Sequence, residues 1–539
     1  MVRERDTPSP TWTQSPKSLP VNTGSVFPKF GVALTSQRIV FFNSLSGTAL
    51  YVVNIAVVFI LSPILLRALG NSAYGLWELI MSVVGYMGLL DLGIGSAMVR
   101  YVAVADGKGD RDDMAKTMAT SLVFFAAMGM VASAIFAVLG FYPGLLAGGE
   151  AIQIAGVQYL FYLFAVNALF LFPMQVFLAT LLGIQCHYFI NFSRMLFAII
   201  KSIITYWYIT TRGEHVLLFI SVVELTATLL SFFVFYVFLY AKKEIPGFSL
   251  HSISREKFKD LFVFGSKNLV MMAASRLQNQ SVPIIIANVV GVSSIVYYAF
   301  PNRLVDYAKG FASAIGTPLT PYFSSVVGRG RSSELRNTWL QTTFVLQAIM
   351  FIMPVVLWQY GEVFLRLWIG LEYAEAGRWV IKLLVIGLVA DALAANSFRL
   401  LTAQASHGKV AVLWLILAAL SIPTGVLCGK IWGIEGVTLA VVLVSVVGKL
   451  ATVMFACASL NITQVEYFRA TCMKLILPLV MSAGCSALLL QFYTITSYFD
   501  LICHVALVCS LYCLLFWMFS VDAVMKKTVL KKLSYKFKK

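Results

Sequence analysis

One stretch of this chain is written twice, and its two copies lie 221 residues apart. Gly70 recurs as Gly291, Gly95 as Gly316, Gly107 as Gly328 and Gly109 as Gly330 (291 − 70 = 316 − 95 = 221). Ser72/Ser293, Tyr86/Tyr307, Ile94/Ile315, Tyr101/Tyr322 and Thr117/Thr338 keep the same offset, and Lys108 faces Arg329. With 37 glycines in 539 residues, four glycine pairs over so short a stretch exceed what shared composition readily supplies. Any fold for this chain must therefore hold two related halves.

Composition sets the solvent of those halves. Hydrophobic residues make up 59% of the chain and charged ones 12%, with a mean hydropathy of +0.84. Apolar runs long enough to cross about 30 Å of hydrocarbon, roughly 20 residues each, recur about fourteen times. They lie near 45–66, 75–97, 117–140, 157–183, 192–211, 216–241, 261–290, 293–325, 337–359, 377–403, 408–428, 433–458, 471–491 and 499–520. The runs are continuous instead of alternating, which selects helices over a barrel. The expected fold is all-α: a polytopic membrane protein of about 14 transmembrane helices. Two six-helix lobes, 39–241 and 261–458, flank a charged cytoplasmic linker at 242–260, and a helix pair at 471–520 follows. Six is even, so the lobes form a parallel repeat about an axis along the membrane normal, a build found among secondary transporters.

The formal net charge of +17 is distributed like that of a membrane protein, which excludes a nucleic-acid partner. Lys and Arg gather at 1–38, 100–116, 242–259, 329–336 and from Lys526 to Lys539, whereas the opposite loops hold Arg67, Arg212, Arg366 and Lys430, with Arg378 at a helix edge. By the positive-inside rule both termini are cytoplasmic. Residues 1–38 read as a disordered tail without a secretory signal. The basic tail at 521–539 suits either a short helix on an anionic leaflet or a solvated segment. The eight cysteines read as small buried hydrophobes, with no histidine or carboxylate beside Cys509 and Cys513 to complete a metal site.

Charges inside the membrane are the other unusual feature. Each costs about 2.5–3.5 kcal/mol on insertion scales, so they normally face a cavity or a partner. In the eighth span Asn302, Asp306, Lys309, Ser313 and Thr317 recur at steps of three and four, making one polar stripe beside Arg303. Arg303 with Asp306, three residues on, reads as a structural pair. The seventh span carries Lys267 and Arg276, the tenth Asp391 and Arg399 on one face, the second Glu78 and Asp91, the fifth Lys201 and the sixth Glu224. At the common offset Gly85 faces Asp306, Gly88 faces Lys309 and Ser82 faces Arg303. The scaffold is duplicated, and the second copy alone carries these charges.

The run Leu69-Gly70-x-x-x-Tyr74-Gly75-Leu76-Trp77, then Leu89-Leu90-Asp91-Leu92-Gly93-Ile94-Gly95-Ser96-Ala97, closing in Val99-Arg100-Tyr101-Val102-Ala103, resembles the opening of the polysaccharide transporter family. That family holds the lipid-linked oligosaccharide and O-antigen flippases, in the superfamily that also holds multidrug and toxin extrusion pumps. The resemblance implies flipping of an undecaprenyl-diphosphate-linked glycan by alternating access in the bacterial inner (cytoplasmic) membrane, with membrane lipid and other polysaccharide assembly proteins as partners. It implies no catalytic residue, no metal and no cofactor beyond coupling to H+ or Na+.

A diphosphate crossing the bilayer needs cations in place of its hydration, Arg binding it bidentately. The candidate cationic cavity comprises Arg276, Arg303, Lys309 and Arg399, with Lys201 and Lys267 second. Coupling needs a carboxylate whose occupancy changes: Asp91, Asp306 and Asp391, with Glu78 and Glu224 behind. Asp91 has a competing role in capping the helix end it precedes. Two alternatives are weighed: a multidrug antiporter of the same superfamily, which calls for an acidic, aromatic cavity, and a membrane-embedded glycan polymerase or ligase, which calls for a large outer loop.

Overall fold

The computed structural model describes residues 36–146, 154, 156–242, 252–330, 332–522 and 526. The expected tails at 1–38 and 521–539 thus lie outside the described residues except for 36–38, 521, 522 and 526, and of the linker residues 243–251 lie outside them. The described residues form helices and no strands.

The first lobe consists of α1 (Ser36–Met87), α2 (Ile94–Lys108), α3 (Arg111–Phe141), α4 (Val157–Gly183), α5 (His187–Thr211) and α6 (Val216–Ala241). In the second are α7 (Arg255–Val289), α8 (Ile295–Gly316), α9 (Leu319–Gly328), α10 (Ser332–Met350), α11 (Ile352–Trp368), the short α12 (Leu371–Ala376), α13 (Arg378–Leu393), α14 (Ser397–Ala403) and α15 (Gly408–Ser459). A short α16 (Gln464–Thr471) leads to the terminal pair α17 (Met473–Phe492) and α18 (Tyr498–Leu515). Polar side chains start several helices: Asp110 accepts from the Asp113 N–H at 2.9 Å ahead of α3, and Ser497 and Asp500 form a capping box at α18.

Among the described residues nine helices are long and apolar enough to cross a membrane, or ten if the bent pair α13 and α14 counts as one span. This is fewer than about fourteen. Part of the difference is that α1 is broken at Gly70 and α15 at Trp432 and Gly433, so each is two helical segments in one. Another part is that α8 holds Arg303, Asp306 and Lys309 and α7 its run of Arg, Gln and Asn, which lowers their apolar character.

The glycine repeat is a repeat of backbone geometry. Gly70 (φ 72°) and Gly291 (φ 130°) both break their helices with positive φ, and Gly109 and Gly330 both end helices at φ 69°. The correspondence runs further than the glycines do. Gln185 (φ 61°) matches Ala405 (φ 54°), and Gly213 (φ 68°) matches Gly433 (φ 62°), both one residue short of the earlier offset (405 − 185 = 433 − 213 = 220). A left-handed turn held by Gln in one copy and Ala in the other leaves no trace in the letters. The copies differ at Leu92 (φ 49°) and Gly93 (φ 79°), which interrupt the chain before α2, while the matching Ser313 and Ala314 are helical within α8.

The helix α7 belongs to both lobes, and it begins inside the expected linker. Its N-cap Ser254 donates its own N–H to Thr120 Oγ1 at 3.1 Å, Lys257 pairs with Asp113 at 2.5 Å, and Leu261 is buried in the core of the first lobe. Gly93 and Gly265 meet backbone to backbone: a Cβ on Gly265 would lie 2.6 Å from the Gly93 carbonyl carbon. The far half of α7 is sandwiched between lobes, with Val282, Ile285 and Ile286 in one apolar core with Leu76 and Ile80 of α1 and Val437 and Val441 of α15.

Taking the end that bears Gly70 and Gly291 as outer, the lobes are packed together along their outer halves. Residues 295–305 of α8 are largely buried, whereas of its remainder only Ala312 and Gly316 are. In α1 no residue from 41 to 61 is buried, yet Tyr74, Gly75 and Leu76 are. Asn71 donates to Tyr297 Oη at 3.2 Å and accepts from Tyr373 Oη at 2.7 Å, Tyr297 donates to Glu372 at 2.8 Å, and Trp368 Nε1 donates to the Phe59 carbonyl at 2.7 Å. The two lobes therefore meet at the end that bears Gly70 and Gly291 and part at the other.

The terminal pair docks on the second lobe: Tyr512 Oη donates to the Ala348 carbonyl at 2.7 Å and Gln359 Nε2 to that of Ala483 at 2.8 Å. The cysteines are not uniformly buried. Cys186, Cys457 and Cys472 are, but Cys503 and Cys513 lie exposed on α18, where an outer helix turns its small apolar side chains outward.

Candidate functional site: three charged cavities at membrane depth

The charged candidates fall into three cavities instead of one. The outermost, about 270 Å³, is walled by α1, α5, α6 and α8 and lined by Asn54, Trp77, Lys201, Glu224 and Arg303. Arg303 does not pair with Asp306. Its guanidinium crosses to the first lobe, where Nη2 pairs with Glu78 and Nη1 donates to Ser62 Oγ at 2.8 Å and Tyr74 Oη at 2.7 Å. The partner 225 residues away in the sequence comes with the hydroxyls of Ser62 and Tyr74, which accept from the same guanidinium. Lys201 and Glu224 pair within the first lobe at 2.5 Å.

The second cavity, about 500 Å³, lies in the inner half of the second lobe. Its lining includes Ser275 of α7, Lys309 of α8, Asp391 of α13, Asn396, Arg399 of α14, and Trp414 and Lys449 of α15. Asp391 is gripped from two sides, by Lys449 and by Lys309 at 3.9 Å, and Lys309 also reaches Asp306 at 3.6 Å. Asp306 accepts from Asn302 Nδ2 at 2.8 Å. Arg399 has no ion pair among the described residues; its weak donors go to Asn396 Oδ1 and the Ser313 carbonyl, both at 3.4 Å. The break between α13 and α14, with Asn396 at φ 62°, turns Arg399 toward this space. Gly316 makes room for it, since a Cβ there would stand 2.5 Å from the guanidinium carbon.

In the third cavity, about 550 Å³, Arg276 of α7 faces Asp91, Ser96 and Gln175 of the first lobe. Asp91 Oδ1 accepts from the Gly95 N–H at 2.7 Å, so the carboxylate caps α2. Gly88 lies beneath Arg276, where a Cβ would come within 3.1 Å of Nη2. Among the described residues Arg276 forms no ion pair. The side chain of Lys267 lies outside the described residues.

The sequence reading missed Lys449, Ser62 and Tyr74. Lys449 carries the same signal as the other charges, a cation interrupting the apolar run 433–458. Among the described residues no His, Cys, Asp or Glu side chains gather in threes that could hold a metal ion.

A family model described as "Polysaccharide biosynthesis protein" matches residues 41–327, more than half the chain. The chain belongs to the polysaccharide biosynthesis protein family. Within the curated proteins, this family member is 23% identical over 370 residues to "Putative O-antigen transporter" of Shigella flexneri, covering 67% of this chain and 83% of that one. It is also 23% identical over 402 residues to "Uncharacterized membrane protein EpsK" of Bacillus subtilis (strain 168), covering 70% and 75%. Its fold is similar to the inward closed conformation of the lipid II flippase MurJ, with a TM-score of 0.69 at 13% identity over 88% of this chain and 98% of that one. An inward-facing multidrug transporter of the MATE family gives 0.60 at 14% identity over 76% and 94%. The family member thus has the polytopic all-α membrane fold of both.

Proposed function

We propose that this protein is a flippase that carries an undecaprenyl-diphosphate-linked oligosaccharide across the bacterial cytoplasmic membrane for surface polysaccharide biosynthesis. The reading is supported by its family, by the O-antigen transporter named among its relatives, and by fold likeness to a lipid flippase. The observation that carries it to a substrate is Arg399, a cation without a carboxylate partner among the described residues, beside a cavity wall where Lys309 and Lys449 share Asp391 and Asp306, three cations to two carboxylates. Such a surplus calls for a mobile anion.

Alternating access follows from two duplicated lobes closed at one end and parted at the other, and Asp306 or Asp391 would couple it to a proton or sodium gradient. Both termini face the cytoplasm on the positive-inside count. A drug-cation pump of the same fold would need acidic cavities, which these are not.

Replacing Arg276 or Arg399 with Ala stops surface glycan display while the amount of protein in the membrane stays constant. Normal display in both variants would refute the cation-cavity reading. Reconstituted vesicles test the flippase reading itself: efflux of a cationic dye without movement of lipid-linked glycan would sink it.

A further inference from the structure

The second-lobe cavity contains an arrangement that a plain cation lining does not require. Asp391 sits between two lysines from different helices, Lys309 of α8 and Lys449 of α15, with Asp306 on the other side of Lys309 at 3.6 Å, while the stronger anion binder, Arg399, forms no ion pair among the described residues in the same wall. Asn396, 2% exposed, has an Nδ2 with no acceptor. Lys449 is steadied from behind by the Trp414 ring, 4.5 Å from its Nζ, and Trp414 is in turn fixed by its indole N–H to Thr452 Oγ1 at 3.0 Å. Its volume, about 500 Å³, is within the ordinary range for small-molecule sites. Gly88 stands opposite Lys309 at the offset of 221, and neither that offset nor the 220 found at residue 405 puts a charge opposite Asp391 (Phe170 or Leu171) or Arg399 (Leu178 or Ala179).

We infer that this cavity is a phosphate-binding subsite and that Asp391 is its internal counter-anion, holding Lys309 and Lys449 while the subsite is empty and yielding them to the phosphate oxygens of an entering ligand. Arg399 makes the first contact, because its donors are already free of a carboxylate. A dedicated competing anion keeps the two lysines ordered in the empty cavity and returns them when the ligand leaves, so that binding stays weak enough for release. The inference rests on the flippase reading for the identity of its ligand. A phosphate group could come from a lipid carrier or from solution, and the cavity chemistry is the same for both.

The test uses the full-length chain in lipid nanodiscs with two probes, inorganic pyrophosphate and a short-chain prenyl diphosphate, their affinities measured by titration calorimetry. Lys449→Ala and Arg399→Ala each weaken prenyl diphosphate binding tenfold or more, and Lys449→Arg restores most of it. Asp391→Asn tightens binding several-fold, the result a merely structural carboxylate would not give. Inorganic pyrophosphate binds at least tenfold more weakly than the prenyl diphosphate; equal affinity would overturn the lipid headgroup as source. Unchanged affinity in both cation variants, or weaker binding in Asp391→Asn, overturns the subsite. Elution as a monodisperse peak at the wild-type position separates these outcomes from misfolding. Continued glycan transport by a Lys449→Ala protein with unaltered binding would remove the subsite and leave the flippase reading intact.

Discussion

The Arg303–Glu78 pair is the ionic contact that ties the outer halves of the two lobes, and Glu78→Gln tests what it does. Removing one partner of a buried pair costs about 3–5 kcal/mol. Here the side chains remain 23% and 17% exposed, and the amide oxygen of Gln still accepts a hydrogen bond, so a loss of about 2 kcal/mol is expected. That loss falls on the state closed at this end alone, since the pair must part when the lobes separate there. At 1.4 kcal/mol per factor of ten, the population open at this end rises roughly thirtyfold. The assay is labelling of a cysteine placed at the outer lobe interface, in a background with the exposed Cys503 and Cys513 replaced by Ser. Glu224→Gln serves as the control: it breaks the Lys201 pair, but both partners move with the first lobe, so labelling stays at the wild-type rate. Equal labelling in wild type and Glu78→Gln would show that the outer end is held shut by something other than this pair.

Two further substitutions follow from the same geometry. Gly75 packs its Cα against the Val292 carbonyl, leaving no room for a Cβ, whereas Gly107 has nothing within 4 Å. Gly75→Ala therefore destabilises by about 1–3 kcal/mol, and Gly107→Ala, in the last turn of α2, stabilises by up to about 0.5 kcal/mol; thermal unfolding in detergent reads both, and the same sign for the two would contradict the packing. Asp306→Asn alters the dependence of transport on proton or sodium gradients, and an unaltered dependence removes that carboxylate from coupling.

The duplication was legible because glycine marks backbone states that other residues reach only with strain, and Gly70, Gly109, Gly291 and Gly330 do mark them. It went unread beyond residue 338 because Gln185 and Ala405 adopt the same turn with different side chains. Membrane charges were legible one by one, through the cost of placing each in an apolar helix. Their partners were not. Local spacing offered Asp306 to Arg303, while the fold supplied Glu78 from the other lobe; nothing in the letters links positions so far apart. Two of the three cavities are separate because neighbouring residues of α7 face opposite ways, Ser275 toward one and Arg276 toward the other, and the outermost is walled by other helices. Lys449 stands as the one cation in its apolar run, with only Ser445 and Thr452 at helical spacing beside it, and its partner Asp391 lies on another helix.

The helix α7 is fastened at its inner end to the first lobe and along its outer half to both lobes. Two bodies joined by a hinge loop can swing freely, but two bodies that share a rigid member cannot separate without twisting or bending it. The outer opening is thereby coupled to strain in one helix, and Pro283, which leaves a backbone carbonyl without its usual donor, is where that strain concentrates. Since Arg276 lies less than two turns before it, deformation of this torsion bar also reorients a cation that lines the third cavity. Force and recognition would then travel through the same few residues.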